Sequence, residues 1–299
     1  MEKTTNQPLT PEQLYKKVKR DRIRRSTGEK IVIWIVFVIF LVYAFTLLYP
    51  FYYMTVNSFK TNFKIRVDPF ALPEKWMFSN YQKVFDEYNI GEMFFNSITL
   101  TVGLTAFGML LNCMTAYVLA KYEFRGNSFI YSFVIIAGVI PTLGSLPASY
   151  RLMSDLKLID TYLGMILMLC GGFGGHFLYL HSYFKSVSWA YAESAMLDGA
   201  SDFRIFVQIM LPLVKNGVIA FTIIRFLSNW NEFWTPYMFY ESHPTIAVGL
   251  NALSMEATNS GAYAELFAAM VISIIPILVI YAAFQKKIMS NTIGGGVKE

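Results

Sequence analysis

Long apolar runs alternate with short polar stretches along this chain, and the runs are too long to be core elements of a soluble domain. Six read as membrane spans: Ile31 to Met54, Met93 to Leu119, Phe129 to Leu146, Leu163 to Tyr183, Val214 to Tyr240 and Glu265 to Phe284. About 20 apolar residues in a helix cross a hydrocarbon layer of roughly 30 Å. The first run places Trp34 near one end and Tyr49, Phe51, Tyr52 and Tyr53 near the other, where interfacial aromatic belts occur. It is too long for the apolar region of a signal peptide and reads as a span. Prolines qualify the pattern. Pro69 and Pro73 argue against a continuous helix after the first span, Pro141 and Pro147 should break the outer end of the third, and Pro276 lies inside the sixth. In the fourth, Gly171 and Gly175 stand at i and i+4 with Gly172 and Gly174 between them. Such spacing suits close helix packing, which is favoured over a pore-lining role.

Between the fourth and fifth spans lies Ser188 to Pro212, SWAYAESAMLDGASDFRIFVQIMLP, whose four charges make it a poor span. Ala192, Ala195, Met196 and Gly199 share one helical face. Gly199 suits the left-handed position that ends a helix, Ser201 can cap a second helix from Asp202 toward Met210, and Pro212 suits the first turn of the next. The pattern therefore predicts a short helix, a sharp corner at Asp198 to Ser201, and a second helix leading back to the bilayer.

Composition and charge set the class and orientation. Of 299 residues, 55% are hydrophobic and only 15% charged, against about 25% charged in a soluble domain. The net charge of +5 resides in tails and loops, so it is not a nucleic-acid footprint. One side of the six-span topology carries the basic amino-terminal arm, Lys121, Arg125, Lys185, Arg204, Lys215, Lys286, Lys287 and Lys298. The other carries Lys60, Lys64, Arg66, Lys75, Lys83, Arg151 and Lys157, and the loop Glu241 to Ala264 has no Lys or Arg. The richer side is assigned to the cytosol. The organisation expected is a cytosolic arm over 1–30, a six-helix membrane domain over 31–287 containing the loop 188–212, and a cytosolic tail over 288–299. In the arm, Thr10, Pro11 and Gln13 form a capping-box start for a short helix. Cys113 and Cys170 fall inside apolar runs and are expected to be buried thiols without a disulfide.

The Ser188 to Pro212 stretch resembles the EAA loop of the membrane subunits of ATP-binding-cassette importers. Glu193, Ser194, Ala195, Gly199, Ile209, Leu211 and Pro212 fill that pattern, and Asp198-Gly199-Ala200 resembles the D-G-A of the carbohydrate branch. Ser194 replaces an alanine, and Ser188 stands where a proline is common. Similar patterns recur at Asn57 to Lys60, Asn80-Tyr81, Asn96-Ser97, Ala116 to Gly126, Leu158 to Tyr162, Trp230 to Phe233 and Gly294 to Lys298. The resemblance implies the type I importer permease fold, all-α with six transmembrane helices, and a coupling site at Glu193, Ser194, Ala195, Asp198, Gly199 and Ala200. It implies a bacterial cytoplasmic (inner) membrane protein with both termini cytosolic, a homologous second permease subunit, a pair of ATPase subunits holding ATP and Mg, an extracytoplasmic solute-binding protein, and a carbohydrate solute, preferentially an oligosaccharide. The loop Glu241 to Ala264 would reach the binding protein, and the glycine-rich terminus the ATPase.

The fifth span also carries IIRFLSNWNEFW, with Arg225, Asn229 and Glu232 on one helical stripe. A charge at the bilayer centre costs roughly 2.5–3.5 kcal/mol on insertion scales, so it should face a cavity or partner. The stripe could line a path for a polyhydroxylated solute, with Asn229, Asn231 and Glu232 binding hydroxyls and Trp230 stacking on a sugar face. Equally, Arg225 and Glu232 could pair structurally or hold a second membrane subunit. No G-x-x-x-x-G-K-[ST] occurs, so this chain has no P-loop for ATP. No nucleophile, metal or paired-carboxylate constellation stands out, and His176 and His181 lack ligand-spaced partners. A non-catalytic subunit is expected, with no cofactor of its own. An ion-coupled secondary transporter and a non-transport scaffold are the rival readings.

Overall fold

The computed structural model describes residues 26–139, 142–171 and 175–293. The capping box at Thr10 and Gln13, Pro141, Gly172, Gly174 and the Gly294 to Lys298 terminus lie outside the described residues. Every regular element among those described is helical. The chain divides into two units at Tyr53 and Met54.

The first unit consists of most of α1 (Thr27–Ser58). Its start is a reciprocal capping box: Glu29 N–H donates to Ser26 Oγ (3.2 Å) and Ser26 N–H donates to the Glu29 carboxylate (3.0 Å). The apolar side chains from Ile31 to Tyr52 are exposed on all sides, as suits a helix solvated by lipid.

The second unit is built around α4 (Ile90–Lys121). The loop before it contains two short helices, α2 (Asn62–Val67) and α3 (Ser79–Glu87), separated by the stretch holding Pro69 and Pro73. Asn80 caps the end of α1, donating to the carbonyls of Ser58 (2.7 Å) and Lys60 (2.8 Å). The third apolar run forms α5 (Asn127–Val139), then a 3-10 turn (Thr142–Ser145) and α6 (Leu146–Asp155). Pro147 therefore opens a helix in its first turn, where a missing N–H is harmless. The expected connection from Arg151 onward begins inside that helix.

The fourth run is broken into α7 (Tyr162–Leu169) and α8 (Phe177–Ser186). The Ser188 to Pro212 stretch forms α9 (Ala190–Leu197), α10 (Asp202–Ile205), a π turn (Phe206–Met210) and the start of α11 (Leu211–Leu213), and α12 (Lys215–Trp230) follows it. The fifth run ends at Trp230 and resumes as α13 (Trp234–Phe239). The loop after it contains a helix, α14 (Ile246–Ser260), which buries Ile246, Gly249, Leu253 and Ala257. Its first N–H donates to Ser97 Oγ (2.7 Å), and Asn96 donates to the Pro244 carbonyl (3.3 Å). The last run is α15 (Tyr263–Ile293).

By length and composition, α1, α4 and the Tyr263–Gln285 part of α15 can each cross a membrane, and α10–α11 with α12 form a bent pair that counts as a fourth span. The other apolar runs supply the shorter or interrupted helices described above. Helix α4 packs against α7, α8, α12 and α14, and α15 packs against α3, α12 and α14. One apolar cluster joins α4 and α8 to the Ser188 to Pro212 stretch through Tyr117, Phe184, Ala192, Ile205 and Phe206. A second joins α3, α12, α14 and α15, and a third joins α4, α6, α7 and α13.

Candidate coupling element and intramembrane polar stripe

Helix α9 ends in a Schellman motif. Gly199 has φ +78°, its N–H donates to the Met196 carbonyl (3.0 Å), and Ala200 N–H donates to the Ala195 carbonyl (3.0 Å). These two bonds satisfy carbonyls the helix leaves open, and the left-handed residue between them turns the chain. Ser201 follows in extended backbone at the N-cap of α10, as expected, but its side chain makes no cap bond.

Pro212 acts on the turn before it. Its ring opposes the carbonyl four residues back, at Gln208. The chain widens instead into a π turn, in which Leu211 N–H reaches the Phe206 carbonyl. One residue past α11 the path bends by 84° into α12. The Ser188 to Pro212 stretch is thus directly continuous with α12.

Ala192 and Ala195 are the buried face of α9. Met196 and Gly199, placed on that face by spacing, are exposed, because the Schellman turn carries the chain away from the core. Glu193, Ser194 and Asp198 are exposed, and Ala200 is half-buried. Leu197 is 90% exposed and Phe203 67% exposed. Sequence reasoning did not single out Leu197. Its signal was its position, two residues after buried Ala195 and therefore on the opposite side of the helix.

The support beneath the element comes from the end of α4. Tyr117 packs on Phe206 (ring centroids 5.1 Å) and Phe184 (5.5 Å). Tyr122 packs edge-on against Trp189 (5.6 Å) and donates its hydroxyl to Asp202 (2.9 Å). Burial, followed by its bonds to Tyr117 and Asp202, pushes the Tyr122 phenol above its ordinary range. Lys121 donates to the Val187 carbonyl. Asn127 caps α4 by donating to the carbonyls of Leu119 (3.2 Å) and Tyr122 (2.7 Å). These contacts give the Ala116 to Gly126 pattern a structural role.

The structure distributes the polar stripe of α12 among separate partners. Arg225, 6% exposed, donates through Nη2 to the Leu169 carbonyl at the end of α7 (2.8 Å). Asn229 donates to Thr105 on α4 (3.1 Å). Glu232 accepts from the N–H (3.0 Å) and hydroxyl (2.9 Å) of Thr235, stapling the start of α13. Exposed Asn231 donates to the Leu227 carbonyl (2.8 Å). Arg225 and Glu232 therefore serve different helix ends. Trp230 is only 4% exposed, donates to the Ser273 carbonyl (3.3 Å), and lies between Phe94 and Phe226. In this conformation its ring is core packing with no face open for a sugar to stack on. Cys113 and Cys170 are both buried thiols. His176 packs edge-on against Phe221 and His181 beside Tyr131. Among the described residues, no group of three or more His, Cys, Asp or Glu is placed to hold a metal.

Buried polar helix breaks, a short cornered element on one end and long lipid-compatible helices define a polytopic membrane protein of the permease kind. Residues 108–291 match the family model described as "Binding-protein-dependent transport system inner membrane component", and the chain belongs to that family. It is 34% identical over 251 residues to the diacetylchitobiose uptake system permease protein NgcG of Streptomyces coelicolor, covering 82% of each chain. It is 29% identical over 265 residues to the arabinooligosaccharides transport system permease protein AraQ of Bacillus subtilis, covering 87% of this chain and 93% of that one. Its fold matches, with a TM-score of 0.73 and 24% identity, a chain from the crystal structure of a bacterial ABC transporter involved in the import of the acidic polysaccharide alginate. That match covers 88% of this chain and 98% of the other.

Proposed function

We propose that this chain is one of two membrane subunits of an inner-membrane, ATP-driven importer for carbohydrates, oligosaccharides above all. Its relatives' substrates, diacetylchitobiose and arabinooligosaccharides, support the solute class. The observation that carries the reading is the cornered α9–α10 element, exposed at Leu197 and Glu193, seated on α4 and continuous with α12. A helix so supported moves as a lever rather than deforming.

In this reading the two ATPase subunits hold ATP and Mg, and this chain contributes no catalytic residue. Closure of the ATPase pair pushes α9. Glu193 pairs with a basic residue of the ATPase, Gly199 fixes the corner, and Ser194, Ala195, Asp198 and Ala200 shape the contact. Together with the second permease subunit, the spans then open outward to receive solute from the binding protein, which the region around α14 contacts. Both termini lie in the cytosol. Arg225, Asn229, Asn231 and Glu232 shape the interior of the pathway half, directly or through the helix ends they hold.

The test is purification of the assembled complex and reconstitution with its binding protein. A stoichiometric ATPase and binding-protein-stimulated uptake are expected. Glu193→Ala should leave this subunit in the membrane while reducing uptake at least tenfold or releasing the ATPase. An ion-driven carrier or a scaffold would bring down no ATPase, and wild-type uptake by Glu193→Ala would refute the coupling role.

A further inference from the structure

We propose that Arg225 is a positioning residue for transport: it ties the break in the fourth span to the helix that the coupling element drives. This inference rests on the function proposed above and adds the route by which motion reaches the membrane interior.

The break after Leu169 poses a physical problem. A helix that ends inside a bilayer leaves carbonyls without partners, and each unsatisfied group costs several kcal/mol there. Two side chains from other helices supply the missing donors. Arg225 Nη2 of α12 donates to the Leu169 carbonyl at 2.8 Å. Asn112 Nδ2 of α4 donates to the Gly171 carbonyl at 2.9 Å and to the Gly108 carbonyl at 2.8 Å. Between these carbonyls, buried Cys170 directs its thiol to the Leu104 carbonyl at 3.4 Å.

Gly108 makes the arrangement possible. A Cβ on this residue would lie 2.2 Å from Arg225 Nη2 and 2.4 Å from Cζ, so any side chain here would push the guanidinium from its present place across the surface of α4. The guanidinium also lies against the Cys170 side chain, while Arg225 Nε, a donor, and Asn112 Oδ1, an acceptor, are buried without a hydrogen-bond partner among the described residues.

Geometry gives the joint its direction. Helix α12 begins two residues after α11, and Arg225 is ten residues along it, or about 15 Å at 1.5 Å per residue. A tilt of α12 imposed by α9–α11 therefore displaces the Arg225 guanidinium, and with it the end of α7, while Asn112 holds the Gly171 carbonyl, two residues on, to α4.

The experiment uses the full assembled complex in proteoliposomes, with Cys113→Ser leaving Cys170 as this subunit's one thiol. Three readouts are taken: assembly, binding-protein-stimulated uptake, and the rate at which Cys170 reacts with a small thiol reagent, with and without trapped ATP. In the otherwise wild-type complex, the Cys170 rate should differ between the two states by about tenfold, a 1.4 kcal/mol change in local opening. Arg225→Gln should assemble, lose at least tenfold in uptake, and react at Cys170 equally fast in both states. Arg225→Lys, which keeps a donor for Leu169, should recover part of the uptake and of the state dependence. If Arg225→Gln does not assemble, Gly108→Ala displaces the guanidinium without removing it and should give the same loss of state dependence. Wild-type uptake and state-dependent labelling in an assembled Arg225→Gln or Gly108→Ala complex would overturn the proposal. Failure of the underlying reading is distinguishable, because the unmodified protein would then bind no ATPase and show no stimulated uptake.

Discussion

Two helix ends in this molecule solve the same problem by opposite means. At the end of α9, the open carbonyls of Ala195 and Met196 are satisfied by the next backbone N–H groups along the chain, with Gly199 adopting the left-handed turn. At the end of α7, the open carbonyls of Leu169 and Gly171 are satisfied by side chains 56 and 59 residues away in sequence. The first end stands in water and can be self-sufficient. The second falls within an apolar run packed among other helices, and it recruits a buried arginine and a buried asparagine from two of them. A self-capped end makes a stiff corner that moves as a unit. An end capped by other helices couples whatever those helices do.

This contrast can be sharpened by substitution. Gly199→Pro removes the N–H that reaches Met196 and forbids positive φ, so it should abolish uptake by at least a hundredfold, or detach the ATPase, while membrane levels of this subunit hold. Uptake by that variant near wild type would mean the corner is dispensable. Asn112→Leu fills similar space but leaves the Gly171 carbonyl without its donor. It should lower the stability of the assembled complex by about 1–3 kcal/mol, read as a fall in thermal denaturation midpoint, and no fall would show that the break needs no donor. Ser201→Ala should change stability by less than about 0.5 kcal/mol, because the Ser201 side chain makes no cap bond. A loss near the usual ~1 kcal/mol of an N-cap serine would contradict the geometry at the corner.

The same contrast explains what could be read from the chain alone. The α9 corner was visible because its determinants lie within ten residues: two small residues facing inward, a glycine, and a polar residue to restart the helix. The long helices α1, α4 and α15 were visible because uninterrupted apolar runs specify them directly. The α7 break was not. Gly171 and Gly175 announced only close packing, and nothing local links them to Arg225 or Asn112. Trp230 looked available for stacking because its neighbours Asn229 and Asn231 are polar, yet it is Phe94 and Phe226, from α4 and one turn back on α12, that enclose it. Helix α14 was hidden for a related reason: its apolar residues are spaced for a helix, but the surfaces that stabilise it, on α4 and α15, come from distant sequence. The π turn before Pro212 illustrates the intermediate case. The proline was read as lying in the first turn of a helix, and it does lie in the first turn of α11; what the chain alone did not show is that its effect also extends backward to Gln208 and widens the preceding turn.

The central claim is that the tip of α9 touches an ATPase on the inner face of the membrane. Leu197→Cys, with Cys113 and Cys170 replaced by serine, places one thiol at that tip. In native membranes it should cross-link to the ATPase subunit with a yield that changes when ATP is trapped, and it should resist membrane-impermeant thiol reagents applied to intact cells. Labelling of Cys at position 197 from outside intact cells, with no cross-link to an ATPase, would contradict the account.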